Sequence, residues 1–328
     1  MASLTHDTAD LGVPGTAPTR IASGIGFAVA GAASFAMAGP LAKGLIEAGW
    51  TAGAAVTVRV LIAAGVLAIP AAVSLRGRWH LGRANALLIV AYGLIAVAAC
   101  QLAYFNAVDR MQVGVALLIE FTCPVAVLVW MWWRHQQRPS RLTTTGAVLA
   151  IGGLVLVLDL TSGASGDPIG LVWAFASMIC AAVYWILSAD DDNGLPGIAL
   201  AAGGLTFGGV VLLVAGVVGV VPFAATRDDV ELGGTTFVWW LPLVILGALT
   251  AGLAYVLSIE GSRRLGSRLG SFVGLSEVVF GVLFAWLLLS ETPRAIQLVG
   301  GALILVGVVA VKLGEPRAVD APPGGVTP

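Results

Sequence analysis

The sequence predicts an all-α polytopic membrane protein, with ten transmembrane helices built as two inverted five-helix repeats. Three observations predict it. Of 328 residues, 58% are apolar and only 11% charged, and the mean hydropathy is +0.96. The apolar residues fall in runs of about 20, the length that crosses the hydrocarbon core. The second half of the chain then repeats the pattern of the first. A soluble domain carries about 25% charged residues to solvate its surface, so lipid is the solvent for most of this one. A net charge of −1 shows no bias toward nucleic acid.

Residues 1–20 are polar, with Asp7, Asp10, Pro14 and Pro18. They lack the basic start and apolar centre of a secretory signal and read as a disordered cytoplasmic lead. Spans are expected near 22–46, 52–74, 85–107, 112–133 and 142–160, forming a first repeat over 21–162. Further spans near 169–189, 197–222, 237–260, 269–290 and 296–314 form a second repeat over 168–314. The tail 315–328, rich in Pro and Gly, reads as disordered and cytoplasmic. Long continuous apolar runs exclude sheets, since the strands of a barrel would alternate apolar and polar. Cys100, Cys123 and Cys180 sit inside apolar runs and read as small buried side chains, not as a disulfide framework or metal site.

Basic residues set the orientation. With the N-terminus inside, the cytoplasmic segments hold Arg20, Arg76, Arg78, Arg83, Arg134, Arg138, Arg141, Arg263, Arg264, Arg268, Lys312 and Arg317. The external loops hold only Lys43, Arg110, Arg227 and Arg294, and Arg59 lies within a span. Both termini are therefore expected in the cytoplasm, with the chain integral to the inner membrane. Tryptophans agree, because indoles prefer the headgroup region. Trp130, Trp132 and Trp133 cluster at an inner end, while Trp239, Trp240 and Trp286 lie at outer ends.

The repeat is visible in register. VALLIEFTCPVAVLVW aligns with SFVGLSEVVFGVLFAW, setting Glu120 against Glu277 once one residue is skipped. GAVLAIGGLVLV aligns with GGALILVGVVAV, setting Gly146 against Gly300 and Gly153 against Gly307. Gln101 and Tyr104 match Tyr255 and Ser258, each pair three apart and so on one helical face. Five spans per copy is an odd number, so the second copy enters from the opposite side. Inverted repeats are the usual architecture of secondary transporters, which alternate access around a midplane site.

The segments GPLAKGLIEAG, VRVLIAAGVL, LIEFTCPVAVL and LLLSETPRAIQLVGGALILVGVV resemble the EamA family of the drug/metabolite transporter superfamily. IEFTCP and PLAKGL are similar to its threonine/homoserine exporter branch. The resemblance implies export of amino acids or other small metabolites, driven by an ion gradient. In one departure, Val278 follows Glu277 where the family usually has proline, whereas Pro124 is kept in the first copy. The kink of the ninth helix is thus open.

Ionisable side chains inside a bilayer cost about 2.5–3.5 kcal/mol each, so Arg59, Glu120 and Glu277 need an account. Glu120 shares its face with Ala116, Cys123 and Pro124, and Glu277 with Gly270, Gly274 and Gly281. Small neighbours serve either close helix packing or room for a substrate. A buried Glu suits a proton carrier, an ammonium ligand or a structural partner for Arg59. Arg59 stays charged in any setting and has three open roles: an Arg–Glu pair, a clamp for a substrate carboxylate, or snorkelling to the interface. Gln101, Tyr104, Tyr184, Ser188, Tyr255 and Ser258 either line a passage or bond helix to helix. Pro40 after Gly39 should interrupt the first span, and Gly39, Pro40 and Pro124 are the candidate hinges.

No HExxH, GxSxG or Walker lysine loop occurs, the three His lie outside the spans, and Asp190–Asp192 reads as a solvated turn. No cofactor, metal or nucleic acid is expected. The partners are a small-molecule substrate and the bilayer, and a monomer suffices because one chain holds both halves, with a dimer left open. The expected function is proton-coupled export of a small polar metabolite, an amino acid or related compound. The alternatives are a carrier for a drug-like cation or an anionic or nucleotide-sugar-like metabolite, a channel, a scramblase or a membrane-embedded enzyme.

Overall fold

The structure, a computed structural model, describes residues 16–123, 140–157, 167–188, 194–258, 261, 264 and 273–314. In chain order the first half gives α1 (Thr16–Ala36), α2 (Ala38–Glu47), α3 (Ala52–Ser74), α4 (Trp79–Ala84) and α5 (Ala86–Ala91). A π-helical stretch Tyr92–Ala99 follows, then α6 (Cys100–Arg110), α7 (Val113–Glu120) and α8 (Arg141–Val157). The second half gives α9 (Pro168–Ser188), α10 (Gly197–Val217), a hairpin of β1 (Val230–Leu232) and β2 (Thr235–Phe237), and α11 (Trp240–Val244). A second π-helical stretch, Ile245–Leu253, leads toward α12 (Ser276–Leu289) and α13 (Ala295–Gly314).

Five of the described helices are long and apolar enough to cross a membrane: Ala22–Glu47, Ala52–Ser74, Ala86–Arg110, Gly197–Val217 and Trp240–Ser258. Shorter apolar helices cover Arg141–Leu156, Pro168–Tyr184, Ser276–Leu289 and Ala295–Val311. Large apolar side chains such as Ile69, Leu87, Val148, Val172 and Leu298 stand exposed along these helices. Exposed aliphatic surface on this scale needs lipid around it. Trp240 and Trp286 are also exposed, while Trp50 and Trp239 stack at 6.3 Å between ring centroids.

Glycine sets the closest helix contacts. A Cβ at Gly146 would lie 2.5 Å from the Gly307 carbonyl, and one at Gly153 would lie 2.5 Å from that of Gly300. With Gly314 against Ser140 and Thr143, this register makes α8 and α13 antiparallel. Each glycine of one copy thus meets the other member of the pair in the second copy. Such backbone approach is how helices associate where lipid removes the hydrophobic drive between them. Elsewhere α3 packs on α10 and on the second π stretch, α10 on the first π stretch, α9 on α6 and α7, and α1 on α12.

Three boundaries differ from the sequence reading. The span expected over 197–222 ends at Val217, and Gly219 takes φ +77°. The span expected from 237 starts at Trp240, because 230–237 form the hairpin. Sheets had been excluded on the apolar runs, and this small sheet corrects that. Its turn, Gly233–Gly234, has φ +60° and +74°, the two positive values that only a primed hairpin turn needs. Leu232 is buried against Gly44, and Gly233 N–H donates to the Leu288 carbonyl at 2.8 Å. Finally, the helix expected over 112–133 breaks after Glu120, with Phe121 and Thr122 in a turn.

Candidate functional site

Arg59 projects from the first half of α3 and is 3% exposed. Its Nη1 donates to Gln101 Oε1 on α6, and its Nη2 donates to the Thr250 carbonyl at 3.2 Å. The guanidinium lies over the Phe105 ring, 5.5 Å from its centroid. Its Nε–H has no acceptor among the described residues. Both acceptors are neutral, and no ion pair joins Arg59 to Glu120 or Glu277, although both carboxylates act on it electrostatically. A buried cation held by neutral groups is costly, and here Nε adds no bond among the described residues.

Glu120 is the last residue of α7. Its Oε2 accepts from Ser177 Oγ at 2.6 Å, across to α9. Ser177 is fully buried, and its Oγ lies 3.5 Å from the Cys100 carbonyl and 3.9 Å from Cys100 Sγ. Glu277 sits in the first turn of α12, half-buried, within electrostatic reach of Glu120 and Arg59. Among the described residues it makes no hydrogen bond. Five of the residues singled out from the sequence therefore share one neighbourhood: Arg59, Gln101, Tyr104, Glu120 and Glu277.

Three tyrosines, Tyr104, Tyr184 and Tyr255, stand around it. Tyr104 is buried, with its hydroxyl against Gly39. Tyr255 hydrogen-bonds Tyr92 and meets Phe35 edge-on at 5.2 Å, and Tyr184 packs on Tyr92 at 5.7 Å. Ser258 stands apart, pressed on Gly31 of α1. The interruption expected near Gly39 and Pro40 falls at Met37, between α1 and α2. Pro40 has no N–H for the Ala36 carbonyl, so the ladder resumes at Leu41 N–H to Met37 O, 3.2 Å. Pro124 lies outside the described residues, as does the side chain of Ser188. Val278 is buried within α12, and the helix is nevertheless interrupted at Leu275, without a proline.

The sequence reading missed Ser177, Thr250 and Cys100 as site residues. A lone Ser or Thr in an apolar run was the available signal. It also missed the two π-helical stretches, which begin within one residue of each other and end at the same place in each copy. The offset that carries Gln101 onto Tyr255 carries Gly93 onto Gly247, and both glycines let a neighbour in: Gly204 and Phe207 against Gly93, Ile62 against Gly247. Such π segments often mark functional sites, and here one supplies the carbonyl that Arg59 uses.

A second cluster lies at one end of the molecule. Lys43 Nζ donates to Glu291 Oε1 at 2.5 Å and to the Met111 carbonyl at 3.2 Å, and Val113 N–H donates to Glu291 Oε2 at 2.9 Å. Arg110 pairs with Asp167 at 2.8 Å, and Thr51 and Thr226 tie residues 222–226 to the α2–α3 turn. At the opposite end Arg264 donates to Ser23 Oγ at 2.9 Å.

The EamA-like transporter family model matches residues 22–159 and 168–313. The threonine/homoserine exporter RhtA of Salmonella typhimurium strain SL1344 is 25% identical over 249 residues, 75% of this chain and 76% of the relative. The same exporter from strain LT2 gives the same figures. A solved crystal structure overlays with a TM-score of 0.58 at 18% identity, covering 90% of this chain and 97% of the other. That is a likeness of fold.

Proposed function

The chain belongs to the EamA-like transporter family, a membrane transporter and not an enzyme, and from that premise we propose that it exports a small zwitterionic or cationic metabolite, of the amino-acid class, in exchange for protons. The observation that carries this is the pairing of opposite chemistries in one buried neighbourhood: the Nε–H of Arg59, without an acceptor among the described residues, with the carboxylates of Glu120 and Glu277. Arg59 receives a substrate carboxylate. Glu120 alternates between holding a proton and holding the substrate ammonium, so no net charge is stranded at either stage. The curated relatives, named as threonine/homoserine exporters, support the substrate class.

The alternating-access scheme takes the molecule as ten spans in two inverted halves, moving about this site. The reciprocal glycine crossing of α8 and α13 and the matched π stretches support that symmetry. Both termini are taken as cytoplasmic. The gathering of Lys43, Arg110 and the 222–226 segment at one end, away from Arg264 and Ser23, supports the sidedness read from basic residues.

The test is uptake of labelled threonine into inside-out vesicles under an imposed pH gradient. Wild type should accumulate it, and Glu120→Gln should not while remaining folded. Flux indifferent to the gradient in wild type, with normal transport by Glu120→Gln, sinks the proton-coupled reading. Introduced cysteines at Arg78 and Arg227 check topology, with an impermeant reagent labelling Arg227 alone from outside.

A further inference from the structure

We propose that Ser177 is the positioning residue through which the second half of the chain reads the protonation of Glu120. Its hydroxyl holds α9 to the end of α7 while Glu120 is ionised, and turns to the Cys100 carbonyl once Glu120 carries a proton. This role deepens the proton-coupled exchange above and rests on it.

Ser177 is fully buried, and its Oγ lies 2.6 Å from Glu120 Oε2 but 3.5 Å from the Cys100 carbonyl. A hydroxyl has one proton to give, so it serves one of these acceptors at a time. The short bond to the carboxylate is charge-assisted, about twice as strong as a neutral one, and it wins while Glu120 is ionised. A proton added to Glu120 turns the carboxyl into a donor. Ser177 Oγ then accepts from it, and its own hydrogen goes to the Cys100 carbonyl on α6. No covalent bond changes except the new O–H on Glu120. The charge-assisted tie between α7 and α9 is thereby exchanged for neutral ones. Ser177 lies in the second segment that matches the family model, while Glu120 and Cys100 lie in the first. The exchange therefore acts across the boundary that alternating access has to move.

Among the described residues, the charged and titratable groups facing Glu120 are Arg59 from α3, Cys100 and Tyr104 from α6, Cys180 from α9 and Glu277 from α12. None of them hydrogen-bonds it. Among the described residues, Ser177 supplies the bond.

The experiment uses the full chain in liposomes: wild type, Ser177→Ala, Ser177→Thr and Glu120→Gln. Infrared difference spectra between acid and alkaline pH locate the carboxyl band that disappears in Glu120→Gln. Threonine exchange is followed across the same range. Ser177→Ala should move the titration midpoint of that band by about one pH unit toward alkaline pH, a tenfold change in proton concentration, and move the exchange profile with it. Ser177→Thr, which keeps the hydroxyl, should return both to wild type. A band that titrates identically in Ser177→Ala and wild type overturns the role. So does failure of Ser177→Thr to restore it, or the absence of any Glu120-dependent band. If the band shifts as expected while exchange ignores pH, Ser177 still positions Glu120 and proton coupling is the reading that fails.

Discussion

Glu120 and Glu277 hold matching places in the two repeats of the sequence, and the fold gives them different surroundings. Glu120 closes α7, at the negative end of the helix dipole, and takes a hydrogen bond from Ser177. Glu277 opens α12, at the positive end, and takes none from the described residues. The chain break moves with them: it follows Glu120 at Phe121–Thr122 and precedes Glu277 at Leu275. A repeat therefore supplies two equivalent carboxylates, while local helix ends and neighbours make them unequal. Pairs of titratable groups pushed apart by environment are how one site divides two roles. Here the carboxylate tied to the opposite half is the one suited to signal its charge state.

The widest test of that inequality is transport. Glu120→Gln is expected to abolish gradient-driven threonine accumulation, and Glu277→Gln to leave a measurable fraction of it, in side-by-side vesicle uptake. Equal loss in both variants would mean that the different surroundings carry no functional weight. Arg59→Ala sharpens the picture through substrate concentration. If Arg59 holds the substrate carboxylate, half-saturation rises while the purified protein keeps its thermal stability.

Where the halves are alike, the effects should be alike. Gly153→Val and Gly307→Val each force a side chain into a backbone contact, Gly153 on Gly300 and Gly307 on Ala150. Overpacking of this kind costs about 1–3 kcal/mol, and thermal unfolding in detergent should show both variants lowered by similar amounts. A large difference between them would break the symmetry of the α8–α13 crossing.

The charges and the repeat were legible in the sequence for a physical reason. Arg59, Glu120 and Glu277 interrupt apolar runs where each costs free energy, so they stand out without a structure. The bounds of α3 were legible too, since Thr51 caps a uniform apolar run, its Oγ accepting from Ala54 N–H at 3.3 Å. The partners were not. Ser177 looks like any serine in an apolar helix until α9 is laid against α7. The Thr250 carbonyl is a backbone atom, made available by a π segment that no side-chain pattern announces. The hairpin escaped because its strands have three residues each, too short for alternation to register.

A further asymmetry has no counterpart across the repeat among the described residues. Lys43 and Glu291 are 18% and 12% exposed and join α2, the start of α7 and the α12–α13 turn. Ser290, just before Glu291, has φ +57°, a left-handed value that is rare outside glycine. Lys43→Ala leaves the carboxylate, among the described residues, with only the Val113 N–H and should cost about 1–3 kcal/mol, less than a fully buried pair. Thermal unfolding checks it, and the charge swap Lys43→Glu with Glu291→Lys should recover part of the loss.

The smallest effect belongs to the exposed pair that joins the same end. Asp167 caps α9, its Oδ1 accepting from Ile169 N–H at 2.9 Å, while Oδ2 takes Arg110 at 2.8 Å. The Arg110 side chain first, and then the capping N–H groups, hold the Asp167 carboxyl below the usual carboxylate range. Because the folded value lies under the unfolded one, its contribution to stability is fully present above the unfolded value. It is lost as pH falls through the folded one. Asp167→Asn keeps an oxygen to cap the helix but not the charge. Its melting temperature should therefore lie slightly below wild type at neutral pH and converge with it in strong acid. Added salt should shrink the neutral-pH difference, since the pair stands in solvent. A difference that persists in acid would place the loss in the cap geometry and not in the charge.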